Sequence, residues 1–202
     1  METYWNFFFT VWIRFFFLLT PFFVLSTFLA MTPELTAAER RATAVRVTLA
    51  VLVACFVLYS FGNTLFSLFG ITLDSFRIGA GSLLFLSAVH MVHGDDSAPA
   101  GEKRGAISVV PLAIPVTVGP GTTGALLVMG AEMQQGWQIV VGLAALAAAV
   151  LCVGLVLVCA SFIEQIVGKK GITILSKLTG LFVGALAAQI VFTGVKNFLQ
   201  VK

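Results

Sequence analysis

The chain predicts an all-α, polytopic membrane protein of six transmembrane helices, built as a 3+3 inverted repeat in which helices one and four are broken. Three observations lead there. Hydrophobic residues make up 59% of the 202 residues and charged residues 10%, and the mean hydropathy is +1.03, far outside the range of a soluble domain. Apolar stretches of the roughly 20 residues needed to cross about 30 Å of hydrocarbon follow one another along nearly the whole chain. A proline interrupts a long apolar run near the start of each half, at Thr20-Pro21 and at Gly119-Pro120-Gly121.

The spans are drawn at 5–31, 44–68, 75–93, 107–131, 137–163 and 173–198. The first is read as a span and not as a removable leader. Glu2 stands where a leader carries positive charge, and the apolar run exceeds a leader's hydrophobic region. Residues 1–202 then form a single membrane domain with no room for a soluble one: 1–94 is the first three-helix repeat, 95–106 a cytoplasmic linker and 107–202 the second repeat. The linker holds the only sustained polar stretch, with Asp95, Asp96, Pro99, Gly101, Glu102, Lys103 and Arg104, and no chemistry is assigned to it.

Duplication is read from paired features. Gly70-Ile71-Thr72 before span three recurs as Gly171-Ile172-Thr173 before span six; at the same offset Ser75 matches Ser176 and Gly79 matches Gly180. Pro21 and Pro120 align at almost that offset. Because three spans is an odd number, the second half enters the bilayer inverted relative to the first.

Lysine and arginine set the orientation, since short cytoplasmic loops carry the positive excess. Arg40, Arg41 and Arg46 flank the first connection, Lys103 and Arg104 lie in the third, and Lys169, Lys170 and Lys177 flank the fifth. Both termini are therefore placed away from the cytoplasm, with Lys196 and Lys202 outvoted. The net charge of +3 reflects this topology and is not read as nucleic-acid binding. Cys55, Cys152 and Cys159 fall inside spans without metal-ligand spacing, as small apolar packing residues.

In lipid, non-helical backbone survives only where protein buries it or where it lines a polar cavity. A proline inside a helix has no N–H and crowds the carbonyl one turn earlier. On this reading Pro21 frees the carbonyl of Phe17, Pro120 that of Val116, and Pro115 that of Pro111. Beyond each break a new helix begins with unpaired N–H groups and partial positive charge. Gly121, Thr122, Thr123 and Gly124 then offer donors to a carboxylate, and Thr20, Ser26 and Thr27 supply hydroxyls in the first half. Freed carbonyls suit an ammonium or a sodium ion, so the arrangement fits a zwitterion without any charged side chain. The alternative is that prolines and glycines merely kink helices for packing. Three prolines and two glycines clustered between Pro111 and Gly121 favour the site.

The charged and polar residues inside spans complete the inventory. Arg77 lies in the first turn of span three, where it snorkels outward or pairs with Asp74. Arg14 sits deep in the first apolar run; either it faces a vestibule and attracts a substrate carboxylate, or the span starts later than drawn. Glu132 and Glu164 fall near span ends, and His90 and His93 read as a wetted helix end. Gln189 is the site candidate of span six, and Asn197 is interfacial. Gly180 and Gly184, with Gly79 and Gly81, serve close helix packing. An intramembrane enzyme is disfavoured, because the chain has no HExxH motif, no paired intramembrane carboxylates and no nucleophile–base pair.

Pro111-Leu112-Ala113-Ile114-Pro115 followed by Gly119-Pro120-Gly121-Thr122 resembles the signature of the MarC family of bacterial inner-membrane proteins, which is grouped with neutral amino acid transporters. Supporting blocks are Glu39-Arg40, Phe69-Gly70-Ile71 with Arg77-Ile78, Gly168-Lys169-Lys170-Gly171-Ile172, and Gln189. This chain departs in having Thr20 where the family places Asn or Asp, and Gly79-Ala80-Gly81 where it often shows Ala-Gly-Gly. The resemblance implies a six-helix permease of the bacterial inner membrane with small neutral amino acids as candidate substrates. The substrate-binding set is then Thr20, Pro21, Ser26, Thr27, Pro115, Val116, Gly119, Pro120, Gly121, Thr122, Thr123 and Gln189. No cofactor is expected, and sodium or a proton is the coupling ion if flux is coupled at all. The partners are a small-molecule substrate and the lipid bilayer, with a homo-oligomer left open. A channel or a structural subunit of a membrane complex is the competing class.

Overall fold

Proline and glycine divide this chain into helices. The computed structural model describes residues 2–93, 117–133 and 135–200. Helices α1 (Glu2–Leu18) and α2 (Pro21–Met31) make the first span, and the chain breaks between them at Thr20, which is left-handed with φ 49° and ψ 57°. The right-handed helical region is disfavoured for the residue before a proline, while proline itself is well suited to the first position of a new helix.

Helix α3 (Ala37–Phe69) starts in a reciprocal cap. Glu39 N–H donates to Thr36 Oγ1 at 3.3 Å, and Thr36 N–H donates to Glu39 Oε2 at 2.9 Å. Gly70 ends the helix with φ 63°, and the Ile71 N–H bonds back to Phe66 O at 3.2 Å. Helix α4 (Leu73–His93) follows after three residues, Gly70 to Thr72, its Ser75 N–H capped by Thr72 Oγ1 at 3.2 Å. Helix α5 (Pro120–Glu132) begins on a proline as α2 does, and α6 (Gly136–Val158) and α7 (Ala160–Gln200) complete the order.

Among the described residues, five helical stretches are long and apolar enough to cross a membrane: Tyr4–Met31, Ala37–Gly62, Leu73–His93, Gly136–Val158 and Ala160–Leu199. The molecule is an all-α polytopic membrane protein. Of the expected span 107–131, only α5 and the residues just before it are described; the expected linker 95–106, together with Pro115 and Val116, lies outside the described residues.

Helix α3 shows how the bilayer sorts side chains. Ala44, Val47, Val51, Cys55 and Tyr59 are buried along one stripe, while Val45, Leu49, Val53, Val57 and Phe61 face outward along another. In water a whole flank of exposed aliphatics would be a binding surface; here it is the lipid face. Phe15, Phe28, Leu126 and Leu146 are fully enclosed at the centre of the bundle.

Glycines set the closest helix approaches. A methyl on Gly121 would come within 2.6 Å of Leu84 Cα, and one on Gly124 would overlap Ala80, so α5 lies backbone to backbone on α4. One on Gly130 would overlap the Tyr59 carbonyl, and one on Gly62 that of Leu127, so α5 meets α3 equally closely. Gly81 faces Ala187 and Val191, Gly180 faces Ala88, Met91 and Val92, and Gly194 faces Asp74 and Arg77. Residue numbers rise along α4 as they fall along α7, so the two run antiparallel. Helices α3 and α6 are antiparallel as well, with Tyr59 against Gly142 and Thr48 against Gly154.

These contacts define two ends of the bundle. One gathers the starts of α1 and α6, where Tyr4 packs on Trp137 at 5.0 Å, with the start of α4 and the ends of α5 and α7. The other joins the end of α2, the start of α3 and the start of α7. There Arg40 donates to Thr32 O at 2.8 Å and to Ser161 Oγ at 2.9 Å.

Two details of the second half differ from the sequence reading. Gly171-Ile172-Thr173 is helical, unlike Gly70-Ile71-Thr72, and the left-handed glycine lies three residues earlier at Gly168 with φ 68° and ψ 164°. The fifth span stops at Val158, not at residue 163, because the chain leaves the helix at Cys159 before α7 begins. Glycine can adopt φ > 0 without penalty, and of the two glycines that flank Lys169-Lys170 it is Gly168 that carries the break.

Candidate functional site

The first break is enclosed by protein. Thr20 is 3% exposed and Pro21 is buried, with Leu18 and Leu19 beside them. The Leu19 N–H reaches Phe15 O and the Thr20 N–H reaches Phe17 O, each at 3.0 Å. The expected freeing of the Phe17 carbonyl is therefore corrected, because a tightened last turn captures it. The carbonyls of Leu18 and Leu19 and the N–H groups of Phe22 and Phe23 keep no backbone partner among the described residues, and no side chain caps α2. Ser26 and Thr27 are half-buried on α2.

At the second break Gly119 is extended, with φ −74° and ψ 175°, and its carbonyl accepts from the Thr123 N–H at 2.8 Å. Thr123 is thereby removed from the expected set of free donors. Gly124, four residues after Pro120, falls within the regular ladder of α5. The open donors are those of Gly121 and Thr122, the first N–H groups after the proline. Gly121 and Thr122 are buried, whereas Pro120 is exposed. The expected carbonyls of Val116 and Pro111 lie outside the described residues.

Two cavities adjoin these elements. A cleft of about 540 Å³ opens between α4 and the start of α5, lined by Pro120, Thr123, Gly124, Ser75, Phe76 and Gly79 among others. A smaller cavity of about 70 Å³ lies among α1, α5 and α7, lined by Arg14, Leu18, Met129, Glu132, Gln189 and Thr193 among others. The predicted residues are thus divided. Pro120 and Thr123 line the first cavity and Gln189 the second; Thr20, Pro21, Ser26 and Thr27 line neither.

Beside the smaller cavity is a polar cluster. Arg77 Nη2 and Nε donate to Glu132 Oε1 at 2.8 and 3.2 Å, and Arg77 Nη1 donates to Asp74 Oδ1. Asn197 Nδ2 donates to the same Asp74 oxygen at 3.2 Å. Arg77 is 9% exposed, so the guanidinium is held between two carboxylates and does not reach outward. Of the two expected roles of Arg77, the pairing with Asp74 is present and the outward reach is not. Glu132 and Thr193 line the smaller cavity but stand outside the expected set, though two signals pointed to them: Glu132 is the acid at the end of the proline-begun helix, and Thr193 lies one turn beyond Gln189.

His90 and His93 are exposed at the end of α4, where His93 Nδ1 lies 3.1 Å from Val89 O. Cys55 is buried, and Cys152 and Cys159 are half-buried; all three are free thiols. Among the described residues there is no cluster of His, Cys, Asp or Glu arranged to hold a metal ion.

Comparison with known proteins supplies the family. The model of the MarC family integral membrane proteins matches residues 5–199. The chain is 31% identical over 207 residues to the UPF0056 membrane protein YhcE of Escherichia coli (strain K12), covering 98% of this chain and 96% of that one. It is 32% identical over 193 residues to a UPF0056 membrane protein of Methanocaldococcus jannaschii, covering 90% and 92%. To the UPF0056 membrane protein YvbG of Bacillus subtilis (strain 168) it is 28% identical over 202 residues, with 95% of each covered. No solved structure matches. With the family model covering nearly every residue and relatives aligned end to end, the chain belongs to the MarC family of integral membrane proteins.

Proposed function

We propose that the protein is a secondary transporter of small neutral solutes, amino acids foremost, working by alternating access across the bacterial inner membrane. The observation that carries this reading is the pair of short helices α2 and α5, each begun by a proline after non-helical backbone. A broken span loses hydrogen bonds that lipid cannot replace, so such breaks belong to buried or cavity-lining backbone, as in carriers built from inverted repeats. The antiparallel pairings of α3 with α6 and of α4 with α7 support a 3+3 inverted duplication, since each pair then consists of one helix and its inverted copy. Both termini lie away from the cytoplasm on this reading, with Arg40, Arg41, Lys169 and Lys170 at the cytoplasmic end. The substrate set is that of the two breaks with Gln189, and sodium or a proton is the coupling ion if flux is coupled.

The test is purified protein in liposomes, assayed for uptake of labelled glycine, alanine and serine under imposed sodium or proton gradients. Saturable uptake with counterflow is expected, and the gradient that drives it names the coupling ion. Large unitary currents in planar bilayers would overturn the carrier in favour of a channel. Neither flux nor current would leave the structural-subunit reading.

A further inference from the structure

Arg14 lies inside the apolar first span, and among the described residues it has no ion-pair partner. A cation at such a position is costly and marks a solute or ion path by default. Here it faces the cavity of about 70 Å³ together with Glu132, Gln189 and Thr193. Glu132 is only half engaged, because both bonds from Arg77 land on Oε1 and Oε2 has no partner among the described residues. The Gln189 side-chain amide is uncommitted too: the contact with Thr193 uses its backbone carbonyl, which accepts from Thr193 Oγ1 at 2.7 Å. One cavity thus joins an unpaired cation on α1, a half-paired carboxylate on α5 and an amide on α7, between apolar walls that include Leu18 and Met129.

We propose that this cavity is the solute site and that it takes a small zwitterion, whose carboxylate meets Arg14 and whose ammonium meets Glu132 Oε2, with Gln189 bonding between them. The proposal rests on the carrier reading and moves its binding chemistry from the helix breaks to side chains. Charge selects the ligand. Arg14 and Glu132 are exposed on the isolated protein, yet Arg14 sits inside an apolar span. A simple anion would leave Glu132 and a simple cation would leave Arg14 uncompensated, and an unpaired charge at membrane depth is costly. A molecule with both ends satisfies both groups through charge-assisted hydrogen bonds and adds no net charge to the bilayer. Size agrees: a water needs on the order of 10–15 Å³ of such space, so the cavity admits a solute of a few heavy atoms. Leu18, in the last turn of α1 before the left-handed Thr20, forms part of the wall. A change of angle at that break would move Arg14 relative to Gln189, which links occupancy to the bend of the first span.

The test uses the full chain, purified in detergent and titrated with L-alanine, alaninamide and propionate while thermal unfolding and binding heat are followed. L-Alanine should bind and raise Tm, whereas alaninamide and propionate, each carrying one of the two charges, should bind at least tenfold more weakly. Arg14→Gln should weaken alanine binding at least tenfold. Glu132→Gln also removes the Arg77 ion pair, so Gln189→Ala, which breaks no ion pair, serves as a second variant and should weaken binding several-fold. The site is overturned if wild type does not bind alanine, if propionate binds as well as alanine, or if Arg14→Gln binds undiminished. Counterflow separates the two readings. Saturable alanine counterflow retained in Arg14→Gln liposomes would remove this site and leave the carrier, while binding without any counterflow in wild type would remove the carrier and leave the site.

Discussion

A β-branched residue in the left-handed region is an outlier, because its branched Cβ crowds the backbone there. Thr20 occupies that region at φ 49°, at the position where the family, by the resemblance above, places Asn or Asp. Those residues tolerate the left-handed conformation by local hydrogen bonding, so the family preference has a conformational explanation in addition to any binding role. Thr20→Asn should therefore stabilise the protein by about 1 kcal/mol, seen as a higher Tm of the purified protein in detergent. A Tm unchanged or lowered would show that the Thr20 side chain has a packing role worth more than the strain. The sequence announced this position through Pro21 but not its dihedral angles. Proline disfavours the right-handed helix for its predecessor without saying which other region it takes. Glu132 was hidden for a similar reason, since its importance comes from Arg77, which is 55 residues away in sequence and is brought alongside by the α4–α5 crossing.

At the level of elements, α5 carries closely approached backbone on two sides. Gly121 and Gly124 lie against α4, and Gly130 lies against Tyr59 of α3. In lipid such contacts drive association, because packing and not water expulsion holds the helices together. Gly130→Ala should be strongly destabilising, by about 2 kcal/mol or more, since its methyl meets backbone and not a movable side chain. Gly79→Ala on α4 is the control: a methyl there meets nothing within 4 Å, and the exchange should stabilise by a few tenths of a kcal/mol to about 1. Thermal unfolding of the two variants in one detergent checks both, and equal effects would refute the assigned α3–α5 contact. The sequence showed that the small residues serve packing, because glycines spaced along apolar helices have few other uses. It did not show which would be tight, as Gly79 and Gly81 are near neighbours with opposite surroundings. The Gly-Ile-Thr pairing misled in the same way. Identical tripeptides sit in a turn at Gly70 and inside a helix at Gly171, because in the second half Gly168 takes the left-handed position first.

For the whole molecule, the helix order and the lipid-facing surface were legible because the bilayer imposes one length and one polarity on every span. The sites were less legible, since a cavity depends on three helices meeting and no single stretch encodes it. Orientation remains a matter of charge. The helix contacts place Arg40 and Arg41, at the start of α3, at the same end of the bundle as Ser161 at the start of α7. Lys169 and Lys170 follow the first turns of α7, just past the left-handed Gly168. The opposite end holds the Arg77 cluster, whose cation is neutralised by Asp74 and Glu132 and so adds nothing to the positive excess. Positive charge that is free to act during insertion is thus concentrated at one end, which the positive-inside tendency assigns to the cytoplasm. A chain with this distribution should carry its C-terminus, 32 residues beyond Lys170 and far enough for one span, on the outer side. Fused there, alkaline phosphatase should be active and a fluorescent protein dark. Replacing Lys169 and Lys170 by Gln should blur that result into mixed orientation of the last span. A bright fluorescent fusion in the unmodified chain would invert the whole assignment, and would place the Arg14 cavity and its Arg77 neighbour toward the cytoplasm instead.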